Sequence, residues 1–263
     1  MAATALALRL SDATRRRDDA RADVCGLSFD GLGGPIVAVC GLTGGAGTTT
    51  LAWLIARQAA RESTAPILVC EAEALAGGLA VLAGVATPTG LGELATNLAE
   101  SKPRGASFAQ IADGLRLVAT VPRTGPPRVP GRLASVLGDA VDAHGLVVCD
   151  ARTLDHVDAL PILACATHIL WVMPATAAAI KHAEVLLAVG ALPPSGRARE
   201  ALVAAAIHPE GGASVRCLRA LGSHRHEQLV LVPHVAELPL AAGHEHHGRI
   251  AATLTQLATF LRR

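Results

Sequence analysis

The sequence predicts a doubly wound α/β fold, with a mostly parallel sheet and helices on both of its faces. At 263 residues the chain is long enough for one large domain and short for two. Apolar runs without polar alternation recur along it, and such runs are typical of parallel strands buried on both faces. Helix-like stretches separate them, and right-handed crossovers between successive strands then give three layers.

The alternation of strand and helix begins at Pro35. The predicted strands are Ile36–Cys40, Ile67–Cys70, Leu115–Val121, Leu146–Cys149, His168–Met173, Leu202–Ile207 and Leu229–Val232. The predicted helices are Thr49–Arg61, Leu91–Glu100, Arg132–His144, Asp155–Cys165, Ala177–Val189, Ser214–Leu221 and Gly248–Arg263.

The chain is expected to divide into an arm at residues 1–33 and a folded domain at residues 34–263. The stretch Arg15–Asp23 mixes both charge signs, and Gly33 and Gly34 before Pro35 mark a boundary. The arm is interpreted as a flexible tail, with a short docking segment for a partner as the alternative.

Composition and charge argue against two classes of partner. The formal net charge is +1, so no strong field attracts the protein to DNA or to anionic lipid. Aromatic residues make up 2% of the chain, which disfavours binding of single strands by base stacking. We therefore expect no nucleic-acid partner and, at most, a peripheral contact with a membrane.

The sequence predicts a cytoplasmic protein. Its six cysteines have no metal-ligand spacing and are interpreted as buried free thiols in a reducing compartment. The apolar N-terminal start is short, and Arg15 to Arg17 follow it, so no signal peptide is predicted. The nearly uncharged stretch Leu160–Ile180 is interrupted by Pro161 and Pro174, and we interpret it as a helix end followed by a buried strand.

The most informative stretch is Ile36–Ala52, IVAVCGLTGGAGTTTLA, in which a buried strand runs through a glycine-rich turn into a helix. This geometry directs backbone N–H groups and the positive end of a helix dipole toward an anion. Gly44, Gly45 and Gly47 permit backbone conformations that a side chain would block. A tight turn that binds nothing is the alternative.

The turn resembles the deviant Walker A motif, K-G-G-x-G-K-T-[ST], of the ParA/MinD family, with Thr43–Thr50 in register. ILVCEAEALAGGLAVLAGV is similar to the family's switch I region, and GLVVCDA, which includes Asp150, is similar to its Walker B strand. THILWVMPATAAAIKHAEVLL and LVLVPHVAELPLA are similar to later segments, so the resemblance covers residues 35–263 in the family's order. GLRLVATVPR and the Gly-Leu after Pro88 most resemble the CpaE/TadZ branch, which helps to localise Tad-type pilus machinery.

The resemblance implies a P-loop NTPase-like fold and a set of site residues. The nucleotide-binding positions would be Gly44, Gly45, Ala46, Gly47, Thr48, Thr49 and Thr50. Thr49 and Asp150 would hold Mg²⁺, the latter through water. Glu71 and Glu73 occupy the places of the switch I aspartates and could orient a water, although solvated turn residues are the alternative.

Two departures from the motif argue against ATP hydrolysis. Thr48 replaces the lysine that contacts the β- and γ-phosphates in the family, and Thr43 replaces the signature lysine that reaches the partner's nucleotide. Both cations offset charge that develops during phosphoryl transfer. The strand ALVAAAI also lacks the Asn that contacts adenine in many members. The sequence therefore predicts weak binding of ATP and Mg²⁺ at most.

These features together predict a ParA/MinD-like pseudo-ATPase. It would act as a homodimeric localisation or assembly adaptor for protein partners, such as a Tad-type pilus or secretion machine. One alternative is an active ATPase in which Arg152 or Lys181 supplies the missing cation. The other is a DNA-partition protein, which the near-neutral charge disfavours.

Two further features each have two interpretations. The cluster His244–His247 is interpreted as a solvated loop, with a transition-metal site or a pH-sensitive contact as the alternative. The last predicted helix places Ile250, Leu254, Leu257 and Leu261 on one face. Packing of this face on the sheet is the expectation, and contact with a membrane surface is the alternative.

Overall fold

The computed structural model describes residues 34–72, 78–85, 109–119, 133–156, 158–193, 196, 198–207, 215–223, 226–235 and 248–261. The predicted arm 1–33, the predicted helix Leu91–Glu100, Glu73 and the His244–His247 cluster lie outside these residues.

The described residues form eight strands and seven helices. The strands are β1 Ile36–Gly41, β2 Ile67–Glu71, β3 Ala109–Ala112, β4 Leu115–Val118, β5 Leu146–Thr153, β6 His168–Pro174, β7 Arg199–Ile207 and β8 Gln228–Pro233. The helices are α1 Thr48–Glu62, α2 Gly78–Ala83, α3 Leu133–Ala143, α4 Ala159–Cys165, α5 Ala177–Ala188, α6 Val215–Gly222 and α7 Gly248–Leu261.

All eight strands form one sheet in the order β3-β4-β2-β5-β1-β6-β7-β8. Every neighbouring pair is parallel except β3 with β4, which is antiparallel. The chain winds from β1 toward one edge of the sheet, returns through β5, and then winds toward the other edge through β6. In open α/β sheets the carboxyl ends of the strands at such a reversal are where ligands bind.

The two faces of the sheet carry separate apolar cores. Successive residues of β1 alternate between them: Ala38 and Cys40 belong to one core, and Val37 and Val39 to the other. All four side chains are fully buried. Burial on both faces explains why the strands are continuous apolar runs, and it confirms the doubly wound fold that these runs predict.

Each of the seven predicted strands is present, and two elements were missed. Strand β3 is only four residues long and partly exposed, so it carries no apolar run. Helix α2 is six residues long and follows directly on a glycine-rich stretch, which hides its periodicity. The predicted helix end and strand within Leu160–Ile180 are α4 and β6. No helix in the described part of the chain is long and apolar enough to cross a membrane.

The interpretation of the cysteines is right at four described positions and wrong at one. Cys40, Cys70, Cys149 and Cys165 are buried free thiols, whereas Cys217 is exposed. Helix α6 buries Leu218, Leu221 and Gly222, and Cys217 lies at the border of that face, where it is exposed. Burial raises the pKa of the Cys165 thiol to about 11.

Helix α7 packs on the sheet with its apolar face inward. Ile250, Leu254, Leu257, Phe260 and Leu261 are all buried, and they contribute to the same core as α1. Arg199 fixes the end of the helix, because its guanidinium lies 4.8 Å from the centre of the Phe260 ring and donates a 3.1 Å hydrogen bond to the Phe260 carbonyl. The packing expectation for this helix is confirmed.

Replacing Phe260 by Ala should lower the free energy of unfolding by about 3–5 kcal/mol, because the ring is 2% exposed and its removal leaves a cavity. Urea denaturation followed by circular dichroism measures the change. Thr259→Ala is the matched control, since that side chain is exposed on the same helix turn. Equal stabilities of the Phe260→Ala variant and the wild type would contradict this packing.

Candidate functional site

The glycine-rich turn between β1 and α1 exposes its backbone. Gly45 and Gly47 have φ angles of 70° and 86°, in the left-handed region that favours glycine. A Cβ atom on Gly44, Gly45 or Gly47 would meet no heavy atom within 4 Å, so open space lies over the turn. Ala46, in contrast, is 4% exposed and anchors the turn to the core. Helix α1 begins directly after Gly47 and directs its free N–H groups toward this space.

Neighbouring strands hold the start of the turn in place. The Leu42 amide donates to the Val172 carbonyl at 2.8 Å, and the Leu154 amide donates to the Gly41 carbonyl at 3.2 Å. A Cβ on Gly41 would lie 3.1 Å from the Thr43 carbonyl oxygen and 3.3 Å from that of Arg152. Gly41 is therefore needed for the close approach of the turn to β5.

Thr49 and Asp150, both predicted to hold Mg²⁺, are in direct contact. The Thr49 hydroxyl donates to Asp150 Oδ2 at 2.5 Å, and Asp150 is fully buried. The other carboxylate oxygen, Oδ1, accepts the Arg152 amide at 3.0 Å. A hydroxyl and a carboxylate beside the open glycine-rich turn are oxygen ligands that suit Mg²⁺, either directly or through water. The residues present thus fit a metal ion at this position.

Strand β5 contains a bulge beside Asp150. Val39 pairs with Asp150, but the next residue, Cys40, pairs with Arg152, so Ala151 is an extra residue on β5. Arg152 has a φ angle of 61°, which is uncommon for a residue other than glycine. Bulges and such backbone conformations re-aim side chains near functional sites.

Glu71 lies at the end of β2 and is fully buried. Its Oε2 accepts the Leu79 amide at 3.0 Å and lies 3.4 Å from a guanidinium nitrogen of Arg152. The alternative of a solvated turn residue is therefore wrong for Glu71, because the parallel pairing of β2 with β5 places it opposite Asp150, inside the domain. Sequence reasoning did not foresee its contact with Arg152, since the β5 bulge that turns Arg152 toward it leaves no sequence signal.

Helix α2 lies against the first turn of α1, directly after the glycine-rich turn, although the sequence did not predict this helix. A Cβ on Gly78 would come within 2.8 Å of Thr49 Cγ2, so the first residue of α2 touches the residue that contacts Asp150. The Gly77-Gly78 pair before an apolar run was the available signal, because glycine inside a structured segment often marks a close approach of two backbones.

The cations of the site are few. Thr43 and Thr48 stand where the resemblance calls for lysines, and both are partly exposed. Lys181 is exposed on α5, and within the described residues no hydrogen bond or ion pair connects it with the turn. Arg152 is thus the basic residue that the structure brings beside Asp150 and Glu71.

The thiol beneath the site is not activated. Burial raises the pKa of Cys40 far above its usual value, and the negative charges of Asp150 and Asp155 raise it further. Cys40 therefore stays protonated and is no nucleophile.

Known structures share this arrangement of strands and helices. The ParA family ATPase from Chlorobium tepidum superposes with a TM-score of 0.65 at 13% identity, covering 86% of this chain and 98% of that one. The cell division ATPase MinD from Pyrococcus furiosus gives 0.66 at 14% identity, covering 87% and 98%. The MinC:MinD cell division complex from Aquifex aeolicus gives 0.68 at 13% identity, covering 87% and 96%.

The chain has the ParA/MinD fold. At identities this low the similarity concerns the fold alone, and no protein-family model and no curated protein sequence matches the chain. The chain thus has the P-loop NTPase-like, three-layer architecture. The chemistry of the site depends on its own residues, because a fold does not fix a function.

Replacing Gly78 by Ala should destabilise the protein by about 1–3 kcal/mol, because the new methyl group overlaps Thr49 Cγ2 and turning Thr49 away would break its bond to Asp150. Thermal or urea unfolding measures the loss. Gly44→Ala is the control, since its Cβ would meet open space, and it should change stability by less than about 0.5 kcal/mol. Equal effects at the two glycines would contradict the contact between α2 and the turn.

Proposed function

We propose that this protein is a ParA/MinD-like pseudo-ATPase that acts as a localisation or assembly adaptor. The observation that carries the proposal is the presence of Thr43 and Thr48 in a glycine-rich turn with open space over its backbone and left-handed glycines at positions 45 and 47. The fold supports a nucleotide site, and the missing lysines argue against hydrolysis.

A nucleotide would contact this chain mainly through backbone. The amides of Gly44 to Thr50 would surround the phosphates, and Thr49 with Asp150 would hold Mg²⁺. The metal ion would neutralise phosphate charge. The loss of one charge-assisted contact at position 48 weakens binding by about 1.5–3 kcal/mol, so the expected affinity for MgATP is low.

Among the described residues around the turn, two groups that hydrolysis would need are replaced or already engaged. In the ParA/MinD family the cation at position 48 would stabilise charge on the transferred phosphate, and a threonine hydroxyl carries no charge. The carboxylate of Glu71, which would have to orient an attacking water, is buried and bonded to the Leu79 amide and Arg152. Among the described residues, no cation stands at position 48 to stabilise the transferred phosphate, and Glu71 is not free to orient the attacking water.

The adaptor role follows from what such a fold can still do. A rigid domain with an occupied or empty phosphate cradle can present surfaces to a second copy and to other proteins. The Aquifex MinD structure is a complex with MinC, which illustrates a partner bound to this fold. The resemblance of GLRLVATVPR to the CpaE/TadZ branch suggests a homodimer that serves a Tad-type pilus or a secretion machine in the cytoplasm.

An active ATPase with a substitute cation is the second candidate. Arg152 favours it, because its backbone lies against Gly41 and its guanidinium reaches the site. Lys181 is less suited, since it is exposed on α5.

A DNA-partition role is the third candidate, because two of the similar structures are plasmid partition proteins from Borrelia burgdorferi, one of them bound to AMPPNP. The net charge of +1 disfavours it. Salt-sensitive retention of the protein by DNA at micromolar concentration would favour it over the adaptor.

Wild-type protein should release no phosphate from MgATP above background, and Thr48→Lys should bind MgATP at least about tenfold more tightly than wild type. The added ammonium restores the charge-assisted contact at the start of α1. Isothermal titration calorimetry and a phosphate-release assay measure the two quantities.

Thr49→Ala on the Thr48→Lys background is the control, since it removes the hydroxyl that contacts Asp150 and should reduce the gain in affinity. Steady phosphate release by wild type that is abolished by Thr49→Ala would reject the pseudo-ATPase. If wild type does release phosphate and Arg152 is the substitute cation, Arg152→Gln should also abolish phosphate release.

A fluorescent fusion of the full chain should collect where the pilus or secretion machine assembles and should do so equally well with Thr49→Ala, because localisation would not depend on hydrolysis. Fluorescence microscopy in cells that express the machine measures this. Diffuse fluorescence in cells with assembled machines would reject the adaptor role.

A further inference from the structure

The backbone of Arg152 lies beside the glycine-rich turn, and its guanidinium faces the Glu71 carboxylate. Its backbone amide is bonded to Asp150, whose second carboxylate oxygen accepts the Thr49 hydroxyl of the glycine-rich turn. Its carbonyl oxygen lies against Gly41, where the turn begins. From this anchored backbone the side chain reaches Glu71 Oε2, at 3.4 Å. Arg152 is therefore attached to the edge of the phosphate cradle while its charge is directed at a carboxylate.

The contact with Glu71 is a weak one for an arginine. Strong charge-assisted N–H···O bonds are about 2.7–2.9 Å long, and this one is 3.4 Å. The Arg152 side chain is 25% exposed, whereas that of Glu71 is fully buried. The pair is thus open to an anion arriving from solvent on the arginine side only.

We propose that the Glu71–Arg152 ion pair regulates the phosphate cradle: Arg152 recognises the terminal phosphates of a bound nucleotide, and Glu71 competes with them for its guanidinium. This inference rests on the proposed function, because it takes the Gly44–Thr50 turn to be the phosphate site. Arginine suits this role, since its planar group can donate two parallel bonds to a phosphate.

The competition selects for ligands with several charges. A magnesium-bound triphosphate presents more negative charge than the single carboxylate of Glu71, so it can draw Arg152 away, whereas a monophosphate does so poorly. The same oxygen of Glu71 also accepts the Leu79 amide. Loss of Arg152 from this oxygen therefore changes the anchor of α2, which touches Thr49 through Gly78. A nucleotide bound in the cradle would thereby change the contacts that hold α2.

Two substitutions should change the affinity for MgATP in opposite directions. Glu71→Gln removes the competing charge but keeps an oxygen acceptor for the Leu79 amide, and it should tighten binding several-fold. Arg152→Gln removes the phosphate contact and should weaken binding at least about tenfold. Calorimetry with MgATP, and separately with inorganic tripolyphosphate and with inorganic phosphate, measures the affinities. The tripolyphosphate should follow the MgATP pattern, and inorganic phosphate should respond little.

Each control variant makes the same change in charge at a position far from the glycine-rich turn. Glu62→Gln and Arg61→Gln alter exposed residues at the other end of α1, about 20 Å from the turn, and should leave the affinity unchanged. Arg152→Lys should retain part of the wild-type affinity, because it keeps the charge. If Glu71→Gln fails to fold by circular dichroism, Glu71→Asp replaces it, since the shorter side chain lengthens the contact with Arg152 and should also tighten binding.

Affinities that move in the same direction in the Glu71 and Arg152 variants, or that do not move, would overturn the inference. So would the absence of binding in wild type and Glu71→Gln alike. Phosphate release is a separate readout: hydrolysis by wild type would reject the pseudo-ATPase but leave the opposite shifts in affinity intact. Opposite shifts in the affinity for MgATP without phosphate release support both the pseudo-ATPase and the regulation of the cradle by the Glu71–Arg152 pair.

Discussion

The parallel pairing of β1 with β5 is the constraint on which the rest of the site depends. β1 leads into the glycine-rich turn, and β5 supplies Asp150 and Arg152 at the same edge of the sheet. The register sets the Thr49 hydroxyl against the Asp150 carboxylate, and the bulge at Ala151 then turns Arg152 toward Glu71. A shift of one residue in this pairing would move Asp150 to the other face of the sheet.

The two buried carboxylates at this edge have hydrogen-bond partners within the protein. Asp150 accepts a hydroxyl and an amide, and Glu71 accepts an amide and faces a guanidinium. A buried carboxylate without such partners would be strongly unfavourable. With threonine at position 48, a triphosphate in the proposed site would meet two carboxylates and, in the described part of the chain, Arg152 as the neighbouring cation. If the proposed site takes a nucleotide, Mg²⁺ would be needed to screen these carboxylates. The affinity for the metal complex, and not for the bare nucleotide, is therefore the informative quantity.

The sequence predicts the layout of the sheet well because burial on both faces leaves a direct signal. Each apolar run such as Ile36–Cys40 is a strand, and the glycine-rich turn sits where strand and helix meet. The sequence also predicts that Thr49 and Asp150 lie at one site. Thr49 begins the helix after β1, and Asp150 lies in the neighbouring parallel strand β5. The prediction is weaker where structure depends on tertiary contacts. Helix α2 is too short to show a period, and β3 pairs through its backbone with little help from its side chains.

The Glu71–Arg152 contact also depends on tertiary structure, since it arises from the β5 bulge, which no local sequence pattern predicts. The chain has the ParA/MinD fold at 13% identity to the Chlorobium tepidum structure, with threonine at positions 43 and 48. The fold depends on aliphatic strands and on glycines that permit close approach, such as Gly41 and Gly78, and neither requires a phosphate. Positions 43 and 48 are partly exposed and belong to neither apolar core, so threonine there is compatible with the fold. Hydrogen bonds within the protein satisfy both buried carboxylates, so the described part of the fold does not need a nucleotide to offset their burial.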